Sequence, residues 1–97
     1  MGSTASGSLA RVRGVALGAG PELAALVMLA RAAGVQCESA APLGDPADHA
    51  LELGKAPVLP VDPWTAIAVL FHDHEWERAI LPWALASPAY LVGAQGG

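Results

Sequence analysis

The sequence predicts an α/β fold: a small three-layer, Rossmann-like parallel sheet of about four to five strands. Three observations predict it. Short apolar runs alternate with stretches of helical character along the 97 residues, as parallel strands joined by crossover helices require. The run TAIAVLF, residues 65–71, is apolar almost throughout and flanked by turn signals, which suits a strand buried on both faces. Two glycines in LGAGP stand between the first apolar run and the first helix, where a doubly wound sheet meets its ligand.

The first strand is expected over residues 12–17, running into Gly18, Ala19 and Gly20. A helix then starts at Pro21, which favours the first helical position, with Glu22 opposing the dipole. Arg31 falls in its last turn and Gly34 is its stop. Leu23, Leu26, Val27 and Ala30 form the buried stripe, widened by Met28 and Leu29. VQCES reads as a weak second strand. Residues 43–56 suggest a short acidic helix, capped by Asp45, followed by Pro46 and stopped at Gly54. PVLPV, residues 57–61, reads as a strand that its two prolines confine to a sheet edge. TAIAVLF follows. A last helix, residues 73–87, takes Asp73 as its cap, and Pro82 is expected to kink or split it. AYLVG closes as a final strand. In doubly wound order the first strand lies beside TAIAVLF, which brings Gly18–Gly20 and His72–Glu75 to one rim.

Composition bounds the function. One domain is expected over residues 11–97 after a flexible leader at 1–10, and the glycine-rich end suggests a truncated chain. Hydrophobic residues reach 54% against 14% charged, enough to build a core and compatible with a homodimer. The formal charge of -4 and five scattered basic residues argue against nucleic acid. No apolar run approaches the roughly 20 residues that span a bilayer, so no membrane role is expected. A single cysteine, Cys37, precludes an internal disulfide and suits the cytoplasm.

Two stretches carry chemistry. In LGAGPELA, Gly18 permits a tight turn, Gly20 admits an anion close to the backbone, and Pro21 opens a helix whose N-terminus favours negative charge. Leu23 stands where a third fingerprint glycine would be, and Glu38 is the one candidate for a ribose-binding acid. A plain structural turn is the alternative. In FHDHE, His72, Asp73, His74 and Glu75 suit phosphate or pterin recognition, a solvated helix cap, or part of a zinc or iron site. Cys37 is read as a core residue or a reactive thiol, and the three tryptophans as packing anchors or an interface.

LGAGPELAALVMLARAAG together with TAIAVLFHDHEWERAILPWALASPAYLVGAQGG resembles the C-terminal Rossmann domain of the XdhC/CoxI family, the xanthine dehydrogenase accessory proteins. The second block carries the specific part: strand, His-Asp-x-Glu, helix, Ser-Pro-Ala, strand, Gly-Ala-x-Gly. The resemblance implies a chaperone that binds molybdenum cofactor (molybdopterin) and inserts it into a molybdenum hydroxylase, with a cysteine desulfurase as a further partner. By motif match, Gly18, Gly20, His72, Asp73, Glu75, Gly93 and Gly96 would line the site, with Ala19, Pro21 and His74 beside them. The family's N-terminal domain has no counterpart here, and ESAAP replaces an Asp-rich second-strand end. The alternatives are a small NAD(P)-binding, oxidoreductase-like domain and a ligand-free interaction domain.

Overall fold

A computed structural model describes residues 12–94, so the expected leader and Gly96 lie outside the described residues. Within them the elements follow as β1 (Arg13–Leu17), α1 (Pro21–Ala32), β2 (Gln36–Pro42), β3 (His49–Leu51), β4 (Thr65–Val69), α2 (His74–Ala86) and β5 (Leu91–Ala94). All five strands are parallel, in the order β3-β2-β1-β4-β5. The architecture is therefore the expected α/β sheet, with β1 beside β4.

Side-chain alternation divides the core into two layers. Val15 and Leu17 of β1 lie level with Ile67 and Val69 of β4 and pack with Ile80 and Ala84 of α2. Ala16 faces the other way, where it joins Cys37 and Ala41 beneath Leu23 and Val27 of α1. The helices take opposite faces because their crossovers run in opposite directions along the sheet, and right-handed connections then fall on opposite sides.

α1 starts on Gly20 without a side-chain cap and ends in a Schellman arrangement. There Val35 N–H donates to Ala30 O and Gly34 N–H to Arg31 O, both at 3.0 Å, with Gly34 at φ 87°. Its buried stripe is narrower than expected. Leu26 and Ala30 are only partly buried, while Met28 and Leu29 are about 70% exposed, at 71% and 69%. α2 has the expected cap: Asp73 accepts from Glu75 N–H at 2.9 Å. Pro82 does not split it. The proline is exposed, and so is Arg78, whose carbonyl loses its helical partner where water can replace it.

The middle of the chain departs from expectation. Residues 43–56 form turns and β3, not an acidic helix. Asp48 accepts from Ser39 N–H at 2.9 Å and from the Ser39 hydroxyl at 3.2 Å, and its own N–H donates to Ser39 Oγ. These bonds fold the chain back onto β2, and such local side-chain contacts compete with a helix. Leu51 is then buried on the α2 side. PVLPV is not a strand either. β3 takes the edge, while Leu59 and Val61 pack against the α2-side core and Arg13 Nη2 donates to Pro60 O at 2.6 Å.

Candidate functional site

The carboxyl ends of β1 and β4 form a rim whose geometry two glycines set in different ways. A Cβ on Gly18 would lie 2.9 Å from Leu70 Cβ, so this glycine permits the two strand ends to approach. That approach is fixed by Leu70 N–H donating to Leu17 O at 2.7 Å, while Gly18 N–H donates to Ala40 O of β2 on the other side at 3.0 Å. Gly20 has open space around it, with φ 82° and ψ −169°. That conformation is almost exclusive to glycine and turns the chain into α1. The tight-turn role expected of Gly18 therefore belongs to Gly20.

Pro21 occupies the first helical position, so the amides of the next residues open onto the rim with no side-chain cap at Gly20. Opposite them His72 follows β4. Its Nε2 lies 3.0 Å and 3.2 Å from the two carboxylate oxygens of Glu22. The glycine turn and the histidine segment, fifty residues apart in sequence, thus meet through this pair. Between them is a hollow of about 290 Å³ lined by Ala19, Leu70, Phe71, His72, Asp73 and Trp76. Phe71 and Trp76 stack at 5.0 Å with nearly parallel rings and stiffen its wall.

Asp73 lines the hollow, but its carboxylate is committed to the α2 cap, and other expected site residues stand apart. His74 Nδ1 lies 3.2 Å from Glu77 Oε1 along α2, and Glu75 borders a separate depression with Arg78. Gly93 sits on β5 beside Ala68, outside the hollow. His72 and His74 therefore do not converge, and no group of three or more metal-ligating side chains exists among the described residues.

Glu38 is not placed to meet a ligand at the glycine turn. It lies level with Val15, on the α2 side, and its Oε1 is 2.5 Å from His49 Nε2. The acid that does border the glycine turn is Asp45, across a groove of about 510 Å³ that Gly20 also lines. In the sequence Asp45 reads as the cap of the expected acidic helix, and nothing in its Asp-Pro context marks it as a groove residue.

Arg31, which lines the same groove, donates to Cys37 O at 2.9 Å and 3.2 Å and pairs with Asp48 at 3.3 Å. The Ser39 backbone N–H holds the Asp48 carboxyl below its ordinary value, helped by the Ser39 hydroxyl, Arg31 and His49 against partial burial. Burial pushes the Cys37 thiol up, with Arg31 opposing. This favours the protonated, unreactive form, as a core cysteine requires. No protein-family model matches the chain, and neither a curated protein nor a solved structure matches it. No helix among the described residues is long and apolar enough to cross a membrane.

Proposed function

We propose that this chain binds a phosphate-bearing cofactor at the rim between β1 and β4, as a molybdenum-cofactor maturation module for a xanthine dehydrogenase- or carbon monoxide dehydrogenase-type hydroxylase. The observation that carries the binding half is the meeting of the uncapped α1 N-terminus with His72 across Glu22. Helix amides and the dipole favour an anion there, and the open space around Gly20 lets one approach the backbone. The molybdenum half rests on the family resemblance of the two sequence blocks.

The residues fit such a group by their chemistry. The first-turn amides of α1 would hold its phosphate, and His72 would turn from Glu22 toward it. The cofactor, when bound, would supply the pterin-held molybdenum that the partner hydroxylase needs. The chain's own part is to bind, orient and release; among the described residues none at the rim forms a nucleophile–base pair. The module would work in the cytoplasm with the hydroxylase and a cysteine desulfurase as partners.

The test is thermal and calorimetric titration of the chain with molybdopterin and with inorganic pyrophosphate. A ligand at 100 times its Kd stabilises the folded state by about 2.7 kcal/mol, a clear rise in Tm. An unchanged Tm with both would sink the binding reading. A rise with pyrophosphate alone would sink the molybdenum half. A second reading, a nucleotide site, is favoured by one observation: the groove that continues from Gly20 past Asp45.

A further inference from the structure

Parallel sheets occur almost only with both faces covered. Here β4 and β5 are covered on one face alone. On the α2 side Thr65, Ile67 and Val69 of β4 are all buried. On the other side α1 lies over β1 and β2, and it is the one helix there among the described residues. Ala66 and Ala68 lie level with Gly14 and Ala16, so they face the α1 side, as do Leu91 and Gly93 beside them on β5. None of these four is buried, and Leu91 is 55% exposed. This half of the face therefore carries no charged or polar side chain from either strand.

α1 has the matching peculiarity. Its inner stripe of Leu23, Leu26, Val27 and Ala30 packs on its own sheet. The opposite stripe, Ala25, Met28, Leu29 and Ala32, has helical spacing, is exposed and is equally apolar. A helix that is apolar all round belongs in an interior. The two charges of α1 are drawn away from the outer stripe, Glu22 to His72 and Arg31 to Cys37 O and Asp48.

We infer that a second copy of the chain covers this face, with a two-fold axis laying the outer stripe of each α1 on the bare β4–β5 strip of the other protomer. The dimensions match: two strands about 4.8 Å apart make a strip about 10 Å wide, the width of one helix. The numbers match as well. Each chain lacks one helix over its sheet and offers one helix with a spare apolar stripe, so a two-fold exchange satisfies both protomers at once. Charge favours the same occupant. The chain carries a formal charge of -4, so two copies repel in general, but neither the stripe nor the strip bears a charge and they meet without repulsion. The small side chains of Ala25, Ala32, Ala66 and Ala68 allow close approach. The rim and its ligand play no part in this contact.

Sedimentation velocity on the full chain tests this at concentrations on the order of 100 μM, where an interface with a Kd of about 10 μM is mostly associated. A dimer is expected, with a Tm that rises with protein concentration. Leu29→Glu on the stripe and Leu91→Lys on the strip should each leave a monomer. Each buries an unpaired charge twice in a two-fold dimer, which weakens association by about 100-fold or more. Both positions are exposed within one chain, so far-UV circular dichroism should show both variants folded; if a charge unfolds the chain, Leu29→Gln and Leu91→Thr replace them. Leu85→Glu, equally exposed but on α2 across the sheet, should stay dimeric. A monomeric unaltered chain with a Tm independent of concentration overturns the inference without any variant and gives the face to a different occupant. A dimer that survives either Leu29→Glu or Leu91→Lys also overturns it: loss with Leu91→Lys alone means pairing along the β5 edge, and loss with Leu29→Glu alone means a contact between helices only. A dimer broken by Leu85→Glu overturns it by placing the interface on α2.

Discussion

Replacing Gly18 and Gly20 separately by alanine should destabilise the chain for two different reasons. An alanine Cβ at position 18 would sit 2.9 Å from Leu70 Cβ, with Leu70 C and O each at 3.5 Å, whereas ordinary contact begins at 3.4 Å. The obstacle is the root of a side chain, so relief requires backbone movement. That movement strains the Leu70–Leu17 and Gly18–Ala40 hydrogen bonds. Overpacking of this kind costs about 1–3 kcal/mol, and the reduced freedom of the unfolded chain returns about 0.4–1. A net loss of about 1–2 kcal/mol follows. At position 20 nothing lies within 4 Å, yet φ 82° with ψ −169° is nearly closed to alanine, which costs about 1–3 kcal/mol. Urea unfolding followed by far-UV circular dichroism measures both, each as a midpoint lower by roughly 1 M for a typical small-domain slope. The causes separate in a double-mutant cycle. Leu70→Gly removes the obstructing Cβ, so it should couple with Gly18→Ala by about 1 kcal/mol and not with Gly20→Ala. A Gly18→Ala chain with the original midpoint would refute the close approach of β1 and β4, and with it the rim.

Asp73→Ala should cost about 1 kcal/mol by leaving Glu75 N–H uncapped, read from the same urea midpoints; no change would mean that the cap contributes nothing. The depressed Asp48 carboxyl makes the unfolded chain bind more protons than the folded one in acid. Its contribution is complete above the unfolded pKa of about 3.9 and disappears as pH falls through the lower folded value. Asp48→Asn should therefore be less stable at neutral pH and lose less between pH 5 and pH 3, tested by urea midpoints across that range. The raised Cys37 thiol acts in the opposite sense: above a thiol's ordinary value of 9.0 the unfolded chain loses its proton first, so stability falls as pH rises. Cys37→Ala should flatten midpoints measured between pH 8 and pH 10, and an unchanged slope would assign the alkaline loss elsewhere.

The elements with strong local signals were legible. Thr65–Val69 announces a buried strand by its continuous apolar run, Pro21 and Gly34 bracket α1, and Asp73 caps α2. Residues 43–61 were not, because their structure depends on a partner already in place. Asp48 has the look of a solvated helical acid until Ser39 of β2 is beside it. Leu59 and Val61 carry the composition of a strand but take their place against the α2-side core, where their two prolines cost no ladder hydrogen bonds. Met28 and Leu29 complete an apolar helix on paper. Their exposure follows from the missing β2–β3 crossover helix, which would have been α1's neighbour on that face.

The misplaced acid of the candidate site has the same origin in a sharper form. Counting residues from the glycine turn estimates how far along β2 an acid stands, and on that measure Glu38 is the nearest candidate. Counting does not decide which face it occupies. The sheet does: Gly14 lies level with Cys37 and Ala16 with Ser39, so Cys37, Ser39 and Ala41 face α1 while Glu38 and Ala40 face α2. One position of register separates a residue that can meet a ligand at Gly20 from one that cannot. An acid serving that ligand must therefore share the parity of Ser39 or lie past the strand's end, where alternation no longer binds it. Ser39 and Ala41 are not acids, so the role falls beyond Pro42, and Asp45 is the acid there that borders the groove.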